Sequence, residues 1–543
     1  MNQPWLQSYQ PGIPTSLEYP QVPLYRLLQD AAASYPDRTA LIYYDGAEGR
    51  EISTKTYREL DQESNRFAAA LMALGVDPGD RVAYYLQNSP ELVVGFYGIM
   101  KAGAVAVPCN VMYHAHELSY HLNDSGAKAL LCEPDLYPTV QEVIEGTQVQ
   151  SVILSDGIPQ PGTSSLPSLL DSHQPVPLPA LDPARDLALL PYTGGTTGVP
   201  KGAMLTHFNL VANATQFRTW FQYEMGQETF VACLPLFHIG GIAGVMSVPI
   251  SAAATIVLFR RFYPTGILQA IQQYRATRFL GVPTMYIALL NLEESRSYDL
   301  SSIKPSRTSA APLPKAVKEA FDRLVGHEVL IEGYGLTETS PLTHANPVHQ
   351  AQGGSIGIPL PDTDARIVDA ETGGPPLPLG EVGELVLRGP QIMQGYWNKP
   401  EESADSIRDG WFYTGDLARM DERGYFYIVD RKKDVINAAG FKVWPREVEE
   451  VLYQHPMVRV AAVLGVPDSY RGETVKAVLS LKETHQFPSD DDAKQDIISF
   501  CQQQLASYKI PRIVEFQDDL PISAAGKVLR RVLRDEAAES DSS

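Results

Sequence analysis

Apolar residues recur at two different spacings along this chain, and the way those spacings alternate organises the rest. Between 56 and 74, Leu60, Phe67, Leu71 and Leu74 fall on one face of a helical repeat, so the pattern predicts a helix there. A continuous apolar run predicts a strand over 81–86, and Pro90 at a first turn opens a predicted helix over 90–102. A strand over 104–107, a short helix over 116–122 and a strand over 127–132 follow. Strand–helix alternation of this kind implies parallel sheet with helices on both faces. Seven prolines between 157 and 186 break every period, which predicts an irregular connection.

The same grammar resumes with helices over 208–220, 266–274 and 314–325, and strands over 230–234, 277–282 and 327–331. Beyond about residue 360 the pattern shortens to strands such as 365–368 and 384–388 separated by turn signals, predicting a small β-subdomain. A last α+β unit is predicted after the charged run Asp430-Arg-Lys-Lys-Asp434: helix 445–453, strands 458–466 and 475–481, helix 492–506 and a polar tail. The fold class is therefore α/β. A large N-terminal domain of doubly wound α/β subdomains plus the β-subdomain spans 1–430, and a small mobile α+β C-terminal domain spans 431–543. One stretch, 239–259, carries no formal charge over a length that could span a bilayer. Gly240, Gly241, Gly244, Ser247, Pro249 and Ser251 dilute it, so a buried helix followed by a strand is expected.

Composition narrows the classes. At 543 residues the chain is too long for one domain. A net charge of −20 argues against non-specific nucleic-acid binding, so any polyphosphate ligand must find its positive charge locally. Cys109, Cys132, Cys233 and Cys501 show no paired spacing and read as reduced thiols. The first residues lack a basic region followed by an apolar core, so a cytoplasmic protein is expected. Contact with the inner face of a membrane and oligomeric state are left open.

Chemistry concentrates at Tyr192-Thr-Gly-Gly-Thr-Thr-Gly-Val-Pro-Lys-Gly202. Glycines let the backbone turn its N–H groups toward an anion, threonine hydroxyls add donors, and Lys201 supplies a mobile cation. Such a loop suits polyphosphate. It is not a Walker A loop, because Pro200 stands where that helix would begin. A bland linker has no reason to concentrate threonines and a lysine in this way.

The stretch resembles the phosphate loop of the adenylate-forming enzymes (acyl-CoA synthetases, luciferases and adenylation domains), most of all bacterial long-chain fatty-acid–CoA ligases. Five further motifs in the family's order carry the resemblance as far as 527. It implies that Thr193, Gly194, Gly195, Thr196, Thr197, Gly198 and Lys201 cradle the phosphates of ATP. Ser309-Ala-Ala-Pro312 and Glu332-Gly-Tyr-Gly-Leu-Thr-Glu-Thr-Ser340 resemble the adenine and Mg²⁺ motif. Ala310, Ala311, Gly333 and Gly335 would form a slot walled by Tyr334, with Thr337 on the α-phosphate and the metal held by Glu338 and Thr193. A carboxylate can accept two hydrogen bonds from a diol, and Asp416 in Trp411-Phe-Tyr-Thr-Gly-Asp416 matches the family's ribose residue. Arg431 matches its nucleotide arginine, Lys433 its hinge, Gly440 its pantetheine tunnel and Lys527 its catalytic lysine. Thr337, Glu338 and His238, the last in Pro235-Leu-Phe-His-Ile-Gly-Gly241, join Lys527 in the expected catalytic set. Two departures stand out: Gly195 replaces a hydroxyl residue, and Asn437 stands where several relatives have lysine.

Substrate expectations follow from the pocket. No aspartate near His238 could pair with an α-ammonium, which argues against an amino acid. Glycines at 240, 241 and 244 leave room for a slender chain, with Gly241 and Ile242 expected to line the acyl pocket. The expected reaction makes a fatty acyl-AMP from MgATP and then a thioester with coenzyme A. An aryl or coumarate-type acid is the alternative substrate. A carrier protein is the alternative acceptor, although no insertion follows the hinge. Two remote readings fit less well. Gly353-Gly-Ser-Ile-Gly357 fits a hydrolase elbow but lacks the strand before and the helix after. A non-enzymatic nucleotide scaffold would have no use for Lys527.

Overall fold

The computed structural model describes residues 3–45, 50–157, 159–193, 199–308, 311, 313–438, 441–468, 471–482, 487, 489–523 and 528–540. Two doubly wound sheets form its larger part. The seven-stranded sheet runs Leu205–Thr206, Leu187–Leu189, Val105–Pro108, Arg81–Tyr85, Ala129–Cys132, Ser151–Leu154 and Thr163–Ser165, parallel except at its first pair. The five-stranded sheet runs Arg278–Phe279, Thr229–Ala232, Thr255–Phe259, Thr39–Asp45 and Arg50–Thr56, with only the last strand antiparallel.

The helix Tyr57–Ala73 shows how sequence sets these elements. Thr56 and Glu59 close a capping box at its start, a device worth about 1 kcal/mol. Its apolar face, with Leu60, Phe67 and Leu71 fully buried, packs between the sheets, each such side chain contributing roughly 1.5–3 kcal/mol. Ser89 caps the helix Pro90–Lys101 by accepting from the Leu92 amide, with proline in the first turn.

Four strands, Ser306–Thr308, Leu330–Gly335, Leu342–Ala345 and Ile358–Pro359, form a third sheet. A six-stranded antiparallel sheet over Asp364–Arg431 forms the β-subdomain. Residues 3–19 lie across this part of the chain. Gln3 donates to Asp364 at 2.6 Å, Ser8 to the Arg423 carbonyl at 2.8 Å, and Tyr9 to the Pro359 carbonyl at 2.9 Å. Trp5 is buried with its backbone so close to Gly424 that a side chain there would collide with it.

The last unit is a five-stranded sheet of its own: Phe441–Val443, Ile436–Ala438, Gly472–Leu481 and Val458–Asp468, with Ile513–Phe516 parallel to Gly472–Leu481. The large N-terminal and small C-terminal architecture agrees with expectation.

Two local expectations are corrected, and one element has no counterpart in the sequence reading. The proline-rich connection contains a strand, Thr163–Ser165, and a helix, Leu166–Ser172, because Ser165 caps that helix and Pro167 occupies its first turn, where proline fits. The polar tail is a helix, Arg530–Ser540, held by Leu533 and Ala537 against Ala462, Leu464 and Val478. The hairpin Thr39–Asp45/Arg50–Thr56 was not foreseen. Residues 239–259 do form helical turns followed by the strand Thr255–Phe259, with a π-helical stretch at Ile242–Ser247. No helix among the described residues is long and apolar enough to cross a membrane.

Candidate functional site

The phosphate loop has a two-stranded base: the strands Tyr192–Thr193 and Lys201–Gly202 pair antiparallel, Thr193 with Lys201 and Tyr192 with Gly202. Tyr192 donates to Asp124 at 2.7 Å and Tyr120 to the Pro200 carbonyl at 2.8 Å, pinning both sides of that base. Gly194, Gly195, Thr196, Thr197 and Gly198 lie outside the described residues, as do Ala310, Gly440 and Lys527.

Opposite the hairpin stands Glu338, in the single turn Thr337–Thr339 that follows the strand Leu330–Gly335. One Glu338 carboxylate oxygen accepts from Tyr396 at 2.8 Å and faces the Thr193 hydroxyl at 3.5 Å. The Lys201 ammonium lies 5.3 Å over the Tyr396 ring. Thr193, Lys201, Glu338 and Tyr396 are thus one cluster. Burial, and then the charge of Glu338, push the Tyr396 hydroxyl well above its ordinary pKa, so it acts as a donor. Tyr396 escaped the sequence reading because it belongs to no motif. Its one signal is an aromatic pair, Tyr396-Trp397, after Gly395 in a loop. That loop is bonded to the hairpin strand, with Met204 donating to the Gly395 carbonyl at 2.9 Å and Trp397 to that of Gly202 at 2.8 Å.

The second cluster surrounds Asp416. The strands Trp411–Met420 and Phe426–Arg431 pair antiparallel with Asp416 directly opposite Arg431. Register alone therefore brings Arg431 Nε to 3.5 Å from the Asp416 carboxylate. Tyr334 donates its hydroxyl to the other carboxylate oxygen at 2.6 Å. Burial, and then Asp416, hold the Tyr334 hydroxyl protonated far above its ordinary range. Gly335 is required where it stands, because a Cβ would sit 1.6 Å from the Pro341 carbonyl oxygen. Gly333 is crossed by the Arg307 side chain, whose Cδ would lie 2.9 Å from a Cβ there. Ala311 and Thr337 are half-buried at the ends of their motifs.

His238 precedes the helical turns that begin at Ile239, and its carbonyl accepts from Gly241 and Ile242. Asn88 fixes this turn by accepting from Leu236 and donating to the carbonyls of Leu234 and Phe259. The expected acyl-pocket pair needs correction. A Cβ at Gly241 would lie 2.0 Å from the Pro235 carbonyl oxygen, so this glycine permits a backbone contact and opens no space. Ile242 is fully buried in the core. Gly240 faces open space, whereas a Cβ at Gly244 would make ordinary contact with Leu280 and Arg307.

Around Lys433 the chain passes into the last sheet. Burial, and then Arg431, lower the Lys433 pKa. Arg530 of the last helix bonds Glu449 through two hydrogen bonds at 2.7 and 2.6 Å and lies 3.4 Å from Asp434 and 3.6 Å from Asp430. Arg534 adds a 2.8 Å pair with Asp434. Ser355, in the hydrolase-like Gly-x-Ser-x-Gly, is buried and donates to the Phe426 carbonyl, which leaves it no nucleophilic role.

The profile of the AMP-binding enzyme family matches residues 28–397, and that of the AMP-binding enzyme C-terminal domain matches residues 447–527. The chain is 40% identical to a long-chain-fatty-acid–CoA ligase of Bacillus subtilis, over 99% of this chain and 98% of that one. A long-chain-fatty-acid–CoA ligase of Escherichia coli O6:H1 is 37% identical over 99% of both chains. Among solved structures, the anthranilate CoA ligase AuaEII in complex with anthranoyl-AMP superposes with a TM-score of 0.88 at 30% identity, covering 96% of this chain and 99% of that one.

Proposed function

This chain belongs to the AMP-binding enzyme family, and on that premise we propose that it joins a fatty acid to coenzyme A at the expense of ATP. In the first half-reaction a carboxylate oxygen attacks the α-phosphorus, and the bond to pyrophosphate breaks to give acyl-AMP. In the second, the coenzyme A sulfur attacks the acyl carbonyl carbon, AMP leaves, and the thiol proton passes to solvent. The observation that carries this reading is the pair of clusters on one strand, Leu330–Gly335, and the turn after it. Tyr334 meets Asp416 and Arg431, and Glu338 meets Thr193 and the Lys201 hairpin. A ribose diol would replace the Tyr334 hydroxyl on Asp416, and the phosphates would lie toward Thr193 and Lys201.

One carboxylate and one hydroxyl facing phosphates suit a hard divalent cation that takes its other ligands from substrate and water. Glu338 and Thr193 would hold Mg²⁺, which supplies neutralisation of phosphate charge when bound. Gly240 gives the acyl chain its bare wall, and Gly244 the next contact one turn on. The same reading divides the chain at 430/431, with Lys433 as hinge, Lys527 serving adenylation and Gly440 serving the thioester step. An aryl acid is the second substrate reading, and likeness to the anthranilate ligase favours keeping it.

Pyrophosphate release from ATP across fatty, benzoic and coumaric acids, followed by thioester yield with coenzyme A, tests the activity. Silence with every acid would end the proposal. Lys527→Ala should slow ATP–pyrophosphate exchange by about 10²–10³ while leaving conversion of supplied acyl-AMP largely intact. Gly440→Leu should do the reverse. Equal loss of both activities in either folded variant would refute the division of labour.

A further inference from the structure

Arg307 lies in the strand Ser306–Thr308 and is only 3% exposed. Among the described residues no carboxylate pairs with it, and its Nε has no hydrogen-bond partner. Its stem crosses Gly333 of the nucleotide strand, and one terminal nitrogen lies 3.7 Å from where Gly244 would carry a Cβ. The guanidinium therefore ends against Gly244, one helical turn beyond the open space at Gly240. Its surroundings are otherwise apolar or aromatic: Leu280 lies beside Gly244, and the Phe217 ring is 5.2 Å away. Tyr223 brings a second buried polar atom without a partner, its hydroxyl.

A guanidinium cannot shed its charge as a lysine can, so burial without a counter-ion is costly wherever it occurs. Burial does lower the Arg307 pKa to about 10, which still leaves it protonated at neutral pH. Two other arginines of this protein are paired with carboxylates. Arg278, 3% exposed, has Glu228, and Arg530 has Glu449. An aliphatic tail running past Gly240 and Gly244 would leave the Arg307 charge uncompensated. A planar carboxylate at the far end of the substrate would match its fork of donors.

We infer that Arg307 forms a subsite at the floor of the acyl pocket for the oxygen-bearing far end of a substrate, and that the class it fits best is the dicarboxylic acids. The inference rests on the acid-activating reading above and refines its substrate. It places the second carboxylate about one helical turn beyond Gly240, so a particular chain length should be favoured.

The test pairs each monocarboxylic acid with the dicarboxylic acid of the same length, and measures kcat/KM by ATP–pyrophosphate exchange for wild type, Arg307→Met and Arg307→Lys. At one length the diacid should be favoured by roughly 10²-fold in wild type, since a site built around a charged donor rejects analogues lacking its partner. Arg307→Met should reverse the preference and raise activity toward the monoacid, while Arg307→Lys keeps its sign at reduced size. The inference is overturned if wild type shows no diacid preference at any length, a result that needs no variant to fold. It is equally overturned if Arg307→Met keeps the wild-type ratio. Failure of every acid, mono or di, would instead remove the ligase reading beneath it.

Discussion

Asp416 and Arg307 are both charged, both within a few per cent of full burial, and both placed beside the strand Leu330–Gly335. Asp416 is satisfied from inside the protein, by the Tyr334 hydroxyl and Arg431. Arg307 has no ion-pair partner among the described residues and ends on glycine. The difference follows from what each side must recognise. A nucleotide is the same molecule at every turnover, so its pocket can be built of groups that hold one another in place and exchange partners on binding. An acyl group varies, and the wall proposed to receive it is shaped by missing side chains and one charge.

The largest effect expected from breaking this contrast is at Asp416. Asp416→Ala removes the acceptor shared by Tyr334 and Arg431 and both bonds proposed to the ribose. The loss of charge-assisted hydrogen bonds of this kind amounts to about 3 kcal/mol, on the order of 10² in kcat/KM for ATP. The ranking of acids should not move. A variant in which acid preference shifts with ATP affinity would show that the two sides are not separable.

Next in size is the pair of adjacent glycines. Gly241→Ala forces a methyl to within 2.0 Å of a carbonyl oxygen, and should destabilise the fold by roughly 1–3 kcal/mol. Gly240→Ala points into open space and should leave the melting temperature alone while shifting preference toward shorter acids. Calorimetry on the two variants decides it. Equal melting temperatures would contradict the assignment of one glycine to the backbone and the other to the pocket.

The smallest effect sharpens the nucleotide side, where Glu332 is the exception to good pairing. Its carboxyl accepts from the Gly354 and Leu313 amides and is faced by Arg446 and Glu450 of the helix Pro445–Leu452. Burial outweighs these donors and pushes its pKa up to about 7, from the ordinary 4.5. A carboxyl that binds its proton more tightly when folded contributes stability that is complete below 4.5 and lost as pH rises through about 7. Glu332→Gln should therefore melt higher than wild type at pH above about 7 and converge with it near pH 4.5. Parallel pH profiles would remove Glu332 from the account.

Periodic elements were legible from sequence. The apolar face of Tyr57–Ala73 and the strand–helix alternation around it depend on local spacing, which the chain displays openly. Elements that rest on few apolar residues were not. Arg530–Ser540 buries little beyond Leu533 and Ala537, and Leu166–Ser172 begins with a proline that looks like a breaker until its cap is seen. At the site, Thr193, Lys201, Tyr334, Glu338, Asp416 and Arg431 came from motifs, and the structure brings them into two clusters. Tyr396 and Arg307 were invisible because each acts through a neighbour distant in sequence. Gly241 was misread because sequence cannot tell a glycine that makes space from one that gives it up to a backbone oxygen.

The segment 3–19 sets an order of events in the protein's synthesis. Gln3 and its partner Asp364 are 361 residues apart, a stretch that takes roughly 20–70 s to translate at about 5–20 residues per second. For most of that interval Gln3, Trp5 and Ser8 have been made while their partners at 364 and 423–424 do not yet exist, and Tyr9 can meet Trp220 long before the Pro359 carbonyl. The growing chain thus carries Trp5 unplaced until Phe426, whose ring it meets at 6.1 Å, has been made, an exposed aromatic that suits a chaperone or a protease. The doubly wound sheets can assemble meanwhile, but the β-subdomain is covered only when the ribosome has moved past residue 424. Residues 3–8 are thus among the last to find their place.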